Sequence, residues 1–250
     1  MDSRKAITRA FTEMAPKYEQ TVDSELRRIW GWTYADFVSY LIDLTEIKDN
    51  DLVLDIATGT GVIPLRLASL PGSSRFVGLD ITPSMLRRAD EKIRTAERGG
   101  QIHLSCASAM GMPFKDESFE QITCGLAMHH MHIPQLIGEM QRVLKPLGRL
   151  TIADVGAAPS WRYRSVRLFI RVLVFFYFLP AEGFTRAWAE ATAVSNMLTA
   201  EEWVTALAQA GFINIEASKL KSKHFWAPAP IALIASKPPQ PPGNMHASRN

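Results

Sequence analysis

The stretch from Leu52 to Gly61 constrains the fold of this chain more than any other. It begins as a short apolar run that ends in Asp55 and continues as a small-residue turn, Ala57-Thr-Gly-Thr-Gly61. Short apolar runs without strict alternation are typical of buried parallel strands. Glycines let the backbone approach a ligand closely, and the start of the following helix leaves N–H groups free. The stretch therefore predicts a ligand-binding turn at the carboxyl end of a strand.

Strand-like and helix-like runs alternate after this turn. A hydroxyl at Thr199 and a carboxylate at Glu202 form a capping-box pattern that begins the last predicted helix. The predicted strands are 52–57, 75–80, 102–106, 119–125, 149–155, 212–217 and 229–236. Alternation of this kind specifies a mostly parallel sheet with helices on both faces. We therefore predict an α/β fold with a Rossmann-like, doubly wound sheet of seven strands.

Three further segments surround this sheet. Residues 1–46 mix charged and aromatic residues as amphipathic helices do, and they are expected to form a helical cap. The sheet domain is predicted over 47–236, with a helical insertion at 157–197. The proline-rich residues 237–250 are expected to form a flexible tail.

Composition narrows the classes of function. A hydrophobic content of 47% and a charged content of 21% are typical of a globular protein with a sizeable core. The net charge of +3 is too small to indicate nucleic-acid binding without a concentrated patch, so no nucleic-acid partner is expected. No hydrophobic signal region follows the first residues, which makes a cytoplasmic location the expectation.

A second acid, Asp80, ends the second predicted strand, 19 residues beyond Gly61 (80 − 61). An acid at this spacing is placed to accept hydrogen bonds from ribose hydroxyls. Pro64 stands where a dinucleotide fingerprint has its third glycine, and the loop lacks the Lys-Ser/Thr ending of a P-loop. The pattern therefore favours a nucleoside cofactor without a pyrophosphate.

With these features the chain resembles the class I S-adenosylmethionine-dependent methyltransferases. The resemblance is strongest to the ubiquinone/menaquinone-biosynthesis C-methyltransferases and their natural-product relatives. Segments that match the family's motifs follow one another in the family's order: 11–18, 53–61, 77–86, 109–119, 126–130 and 142–150. The resemblance implies S-adenosylmethionine as cofactor and S-adenosylhomocysteine as product.

The resemblance also implies a set of cofactor-binding residues. Those expected around the methionine half are Asp55, Ala57, Thr58 and Gly59, with Gly125 and Leu126 under the sulfonium. Those expected around the nucleoside are Asp80 at the ribose, Ile81 and Met85 against the adenine, and Ser108 and Ala109 at its edge. Tyr18 and Met110 complete the set. Many family members carry Asp in place of Ser108, and a hydroxyl accepts a hydrogen bond more weakly than a carboxylate.

His129 and His130 follow the fourth predicted strand, where the family places groups near the transferring methyl. A histidine can remove a proton from an acidic carbon, a phenol or an ammonium near neutral pH. Alternatively, one histidine packs in the core and the other caps the next helix. A catalytic base is optional here, because positioning of the two reactants alone can supply much of the rate of methyl transfer. The two histidines are the candidate catalytic residues, and no metal site is expected.

Residues 161–179 are the most unusual segment. Arg164, Arg167 and Arg171 share one helical face, and the sequence from Leu168 onward is otherwise almost wholly apolar. The uninterrupted apolar run 172–179 is shorter than the ~20 residues that span a bilayer. A lid over a hydrophobic substrate pocket, a helix in a membrane interface and a core helix with a basic face all stay open. A peripheral membrane contact through 161–179 and a homodimer therefore stay open as well.

Together, these features predict an S-adenosylmethionine-dependent methyltransferase that acts on a small hydrophobic acceptor. A quinone precursor, a phenol or another natural product would fit that description. One alternative is a peripheral membrane enzyme that methylates phospholipids. The other is a protein that binds the cofactor without transferring a methyl group.

Overall fold

The computed structural model of the protein describes residues 3–224 and 228–240. Within them, seven strands form one sheet in the order β3-β2-β1-β4-β5-β7-β6. The strands are β1 (Leu52–Ile56), β2 (Arg75–Asp80), β3 (Ile102–Cys106), β4 (Phe119–Gly125), β5 (Leu144–Val155), β6 (Ile213–Lys219) and β7 (Pro230–Ser236). β1 to β5 pair in parallel, and β7 pairs antiparallel to both β5 and β6. The predicted seven-stranded, mostly parallel α/β fold is confirmed.

Helices cover both faces of the sheet, as predicted. They are α1 (Ser3–Met14), α2 (Tyr18–Ile29), α3 (Tyr34–Leu44), α4 (Val62–Ala68), α5 (Pro83–Thr95), α6 (Ile133–Val143), α7 (Arg164–Ala193) and α8 (Ala200–Gln209). The predicted capping box is present at α8, where the Thr199 side chain accepts from the Glu202 N–H and the Glu202 carboxylate accepts from the Thr199 N–H.

Alternate residues of β1 belong to different core clusters because successive side chains of a strand point to opposite faces. Val53 belongs to the cluster that contains Phe37 and Leu41 of α3. Leu54 belongs to the cluster that contains Leu136 of α6 and Trp203 of α8. β1 is thus buried on both faces, which explains its continuous apolar sequence.

The start of the predicted tail is fixed to the sheet. The Lys237 N–H donates to Gly148 O and the Leu147 N–H donates to Lys237 O, which anchors the chain beside β5. The Lys237 ammonium also donates to Leu144 O at 2.8 Å. Residue 237 therefore differs from the flexible tail that its sequence predicts. Residues 241–250 of that tail lie outside the described residues.

Most of the insertion at 157–197 is the long helix α7. Pro180 lies inside this helix, and Gly183 has non-helical angles (φ 77°, ψ 177°) that kink it. Within residues 3–224 and 228–240, the segment Arg164–Asn196 alone is long and apolar enough to cross a membrane by length and composition. Only 6% of its apolar 18-residue window is buried, so the window is not a core helix.

The turn after β1 packs closely against Gly78 of β2. A Cβ at this position would lie 2.9 Å from Cγ2 and Oγ1 of Thr58 and 3.0 Å from Cδ2 of Leu104. Gly78→Ala should therefore destabilise the protein by about 1–3 kcal/mol, measured by urea unfolding. In a Thr58→Ala background the same change should cost less.

Gly138→Ala in α6 is the matched control, because a Cβ there meets nothing within 4 Å. It should leave stability unchanged or raise it by up to about 1 kcal/mol. An equal loss of stability from Gly78→Ala and Gly138→Ala would contradict this account of the packing.

Candidate active site

A cavity of about 570 Å³ opens at the carboxyl ends of the central strands. The chain proceeds from β1 to β2 and β3 on one side, then returns to place β4 on the other side of β1. In open α/β sheets, ligands bind in the crevice created at such a reversal of strand order. The walls come from the ends of β1, β2 and β4, the loop after β3, helix α1, and the turn that follows α7.

Two wall residues directly after strands have left-handed backbones. Ala57 after β1 has φ 55°, and Leu126 after β4 has φ 53°. This conformation costs a non-glycine residue roughly 1–3 kcal/mol and persists only where the surrounding structure enforces it. Because the strain lies at the floor of the cavity, on both strands of the reversal, it marks these turns as shaped for a ligand.

The Asp80 carboxylate joins the glycine turn to the end of β2. Its Oδ2 accepts from the Gly59 N–H at 2.9 Å, and its Oδ1 accepts from the Thr82 N–H at 2.7 Å. Burial raises the pKa of Asp80, although these N–H groups act in the opposite direction. Each carboxylate oxygen can accept a further hydrogen bond, and the residue lines the cavity. Asp80 is therefore placed to receive two neighbouring hydroxyls.

A mostly apolar slot lies beside Asp80. The residues predicted against the adenine and at its edge, Ile81, Met85, Ser108 and Ala109, all line the cavity, and so does Met110 of the predicted cofactor set. The Ser108 hydroxyl accepts from the Met110 N–H at 3.2 Å. Its own hydrogen remains able to donate, so the slot combines apolar walls with a polar edge. A flat heteroaromatic group such as a purine suits such a slot.

The structure brings most, but not all, of the predicted site residues to the cavity. Tyr18, Ala57 and Leu126 line it, together with Asp80 and the slot. Asp55, Thr58, Gly59, Gly125 and His129 do not line it. Their neighbours explain the difference: the Gly59 N–H points to Asp80, Thr58 packs on Gly78, and Gly125 faces Ile63 of α4.

Asp55 lies beneath the glycine turn. Its Oδ1 accepts from the Thr123 hydroxyl at 2.8 Å. Its Oδ2 is buried and has no hydrogen-bond partner among the described residues. Burial raises the pKa of Asp55 to about 7. Asp55 thus joins β1 to β4 through Thr123 and carries a proton through much of the acidic range.

The two histidines have different surroundings. His129 is turned to Asp154, whose Oδ1 lies 2.6 Å from Nδ1 and whose Oδ2 accepts from the His129 N–H at 3.1 Å. Burial alone would lower the pKa of His129, but the charge and hydrogen bond of Asp154 raise it. His130 lines the cavity. Of the two candidate catalytic residues, only His130 can therefore meet a ligand there.

His130 is held from α7. Its Nε2 lies 3.4 Å from Oε1 of Glu190, and this oxygen lies 3.0 Å from Nη2 of Arg186. Burial and the nearby His129 lower the pKa of His130, although Glu190 acts in the opposite direction. The buried Nδ1 has no hydrogen-bond partner in the described part of the chain. A neutral His130 that directs its Nε2–H to Glu190 keeps a lone pair on Nδ1 for a proton.

His129, His130 and Glu190 each bring a ligand atom within 4.8 Å of the others. That spacing would admit a metal ion, but the Arg186 guanidinium already supplies positive charge to Glu190. The Arg186 guanidinium also contacts Glu25 at 3.4 Å and lies over the Phe11 ring. The group is therefore best described as a buried ion-pair cluster that includes its own cation.

Sequence reasoning expected a helical cap at 1–46 and kept a lid in the insertion open, but it named no site residue from α1 or from the α7 region. The cavity residues from these helices and their flanking turn are Ile7, Thr8, Phe11, Thr192, Ser195 and Asn196. The signal for the cluster was Arg186 and Glu190, two opposite charges four residues apart that are both buried. Oppositely charged residues at this spacing meet on one helix face.

The raised pKa of Asp55 makes a testable prediction about stability. A carboxyl that binds its proton more tightly when folded contributes stability that is lost as pH rises from about 4 to about 7. Asp55→Asn retains an acceptor for Thr123 but cannot ionise. Without ligand, it should match the wild type only below about pH 4. Its free energy of unfolding should exceed that of the wild type increasingly as pH rises from there to about 7, by roughly 2–4 kcal/mol at pH 8.

Asp43→Asn, at an exposed carboxyl, is the control and should show no such difference. Glu25, whose pKa burial also raises to about 7, is present in every variant and cancels in the comparison. Equal stability of Asp55→Asn and wild type at pH 8 would contradict the assignment.

Comparison with known protein families shows which kind of domain this sequence is similar to. Residues 53–148 match the family model described as a methyltransferase domain. The matched span contains the glycine turn, Asp80 and both histidines. Residues 53–148 are therefore similar in sequence to a methyltransferase domain, and the observed sheet order and strand-end cavity agree with that similarity.

Similar proteins extend this result. Demethylmenaquinone methyltransferase from Lactobacillus johnsonii is 33% identical over 153 residues, which are 60% of this chain and 61% of that protein. The match thus spans about three fifths of the length of such curated relatives. Two solved structures share the fold. The cyclase SpnF has a TM-score of 0.62 at 18% identity, covering 81% of this chain and 80% of its own. Phosphoethanolamine N-methyltransferase 2 of Haemonchus contortus, solved with S-adenosylhomocysteine, has a TM-score of 0.61 at 17% sequence identity. The match covers 83% of this chain and 53% of that chain.

Proposed function

We propose that this chain is an S-adenosylmethionine-dependent methyltransferase that acts on a small, hydrophobic, quinone-related acceptor. The observation that carries the proposal is the Asp80 carboxylate, fixed by two backbone N–H groups at the edge of the apolar slot. A carboxylate beside such a slot fits an adenosine, whose ribose hydroxyls and purine need these two surroundings. The match to a methyltransferase domain over 53–148 supports the same conclusion.

The cofactor, when bound, supplies an electrophilic methyl group. Asp80 would accept hydrogen bonds from the ribose hydroxyls, and Ile81 and Met85 would hold the adenine by apolar contact. Ala57 and Leu126 would form the floor near the methionine half. The protein's main contribution to the rate is then to hold donor and acceptor in a reactive geometry and to exclude water.

The acceptor would lie between the floor at Ala57 and Leu126 and the helices α1 and α7, which together are called the helical cover. Phe11 and Met131 give this end of the cavity apolar surface, and His130 gives it a buried proton acceptor. An acceptor with an acidic C–H or O–H group would lose its proton to the His130 imidazole as the new bond to the methyl group forms. Quinone precursors combine such a group with apolar bulk. The similarity to a demethylmenaquinone methyltransferase supports that class.

Asp80→Ala should weaken S-adenosylmethionine binding at least tenfold in calorimetry, or roughly 1.4 kcal/mol. The reason is the lost acceptor for the ribose hydroxyls. An S-adenosylhomocysteine analogue that lacks both hydroxyls should bind variant and wild type alike. Asp90→Ala on the surface of α5 is the control. If Asp80→Ala bound S-adenosylmethionine as tightly as the wild type, Asp80 would lie outside the cofactor site.

His130→Ala should lower kcat by roughly a hundredfold, because general-base catalysis is commonly of that size. Cofactor affinity should change less than threefold in the same variant. His103→Ala, at an exposed position of β3, is the control for loss of an imidazole. Turnover is measured as S-adenosylhomocysteine formed, which also separates methyl transfer from a non-methylating function on this fold. Unchanged turnover would leave His130 with a structural role.

A further inference from the structure

Helix α7 carries an apolar ridge that the rest of the described chain leaves uncovered. The ridge consists of Leu168, Phe169, Val172, Leu173, Phe176 and Tyr177, whose exposed fractions range from 43% to 64%. Their spacing of one and four residues places them on one face of the helix. Such a contiguous apolar surface is unusual for a protein that meets only water.

The exposure follows from how α7 packs. Val166, Ile170 and Val174 lie on a neighbouring face, where they are partly buried and pack against a small cluster that contains Trp161 and Met197. The helix therefore already has a partly buried apolar side, and the ridge is a second apolar side that is left exposed. A helix that packs only against its own domain needs one apolar side, not two.

Unpaired positive charge borders the ridge. Arg164 and Arg171 have no acidic partner in the described part of the chain. The Arg28 guanidinium lies 4.7 Å from the centre of the Tyr177 ring. No acid occurs in α7 before Glu182. This edge of the molecule is therefore cationic as well as apolar.

Arg167 does not belong to this border, although the sequence places it on a face with the other two arginines. Its Nη1 donates to Ser195 O at 2.9 Å and its Nε donates to Trp161 O at 3.1 Å. Arg167 thus ties the start of α7 to the turn that lines the cavity.

The apolar surface continues past the kink at Gly183. Phe184 and Trp188 are 56% and 38% exposed and stack at 6.0 Å with an interplanar angle of 15°. Phe184 also meets Phe175 edge-on at 5.7 Å, and Phe175 meets Phe176 of the ridge at 5.5 Å, so the two parts of the surface join. Tryptophan is well suited to the boundary between water and lipid, because its ring is apolar and its N–H is polar.

We propose that the ridge docks this protein onto a bilayer that contains anionic lipid, with α7 lying in the plane of the interface. The ridge and the Phe184–Trp188 pair would enter the boundary between headgroups and acyl chains, while Arg164, Arg171 and Arg28 would meet the lipid phosphates. The cationic border is the reason to choose an anionic bilayer as the occupant. α7 does not span the bilayer, because its second half buries Arg186 and Glu190 in the ion-pair cluster.

This placement brings the cavity close to the membrane. The turn after α7 supplies Ser195 and Asn196 to the cavity wall, and Thr192 lies in the last turn of the helix. A hydrophobic acceptor dissolved in the bilayer would then have a short path to His130. That consequence rests on the proposed function, whereas the docking itself does not and is measured without cofactor or acceptor.

The test is co-sedimentation of the purified full chain with vesicles made of equal parts phosphatidylglycerol and phosphatidylcholine. The wild type should bind, and raising the salt from about 0.1 M to about 0.5 M should weaken the binding. Phe169→Ser with Phe176→Ser should lower the partition coefficient at least tenfold. Arg164→Gln with Arg171→Gln should lower it about tenfold and remove much of the salt dependence.

Leu70→Ser with Leu147→Ser is the matched control. These leucines are 47% and 70% exposed and lie near the opposite, amino-terminal edge of the sheet. The control pair should bind vesicles within twofold of the wild type, and thermal unfolding checks that every variant is folded.

Absence of wild-type binding to these vesicles would overturn the proposal. So would an equal loss of binding in the control pair. Light scattering tests whether a second copy of the chain occupies the ridge instead. That would be the conclusion if the wild type were a dimer that bound no vesicles and the Phe169/Phe176 variant were a monomer. S-adenosylmethionine binding by calorimetry is independent of all these outcomes and reports separately on the proposed function.

Discussion

The hydrogen bonds to the Asp80 carboxylate are the constraint on which the site depends. The Gly59 N–H comes from the turn after β1 and the Thr82 N–H from the residues after β2, so one side chain fixes two neighbouring strand ends. A buried carboxylate needs such donors, since an uncompensated charge away from water is costly. In the same turn Ala57 has a left-handed backbone, and Gly78 of β2 leaves room for the Thr58 side chain. Floor, acid and slot therefore form one rigid unit on the sheet.

The part of the site that this unit forms could be predicted from the sequence, because its determinants are local. Strand-end acids, glycine turns and apolar runs lie within a few residues of one another, and parallel strands bring their carboxyl ends together. The expectation for Asp80 and its slot needed only this rule. Asp55, Thr58 and Gly125 lie in the same segments, but side-chain direction depends on the neighbours across the sheet. Those neighbours, Thr123, Gly78 and Ile63, carry no signal in a linear motif.

The contacts made by the helical cover could not be predicted from the sequence, for a different reason. His129 and His130 are adjacent, yet Asp154 and Glu190 give them different roles from 25 and 60 residues away (154 − 129 and 190 − 130). Which residue meets which histidine depends on how α7 lies across the sheet. The sequence also could not predict which apolar face of α7 is buried, because the helix has two apolar sides and only its packing against the domain decides between them. Arg167 illustrates this, since its bonds to Trp161 and Ser195 remove it from the basic face.

The ion-pair cluster also sets how firmly the cover closes. Arg186, Glu190 and Glu25 lie between the N-terminal helices and α7, where leucines would make a drier and tighter seal. Charges lose their hydration when they are buried and regain it when they are exposed, so separating the two layers returns part of that free energy. A seal of this kind opens at lower cost than an apolar one of equal area. The molecule thus combines a floor fixed by hydrogen bonds with a cover whose opening is favoured by rehydration of its charges. That combination suits the proposed function, because a methyltransferase would exchange cofactor and product at every turnover.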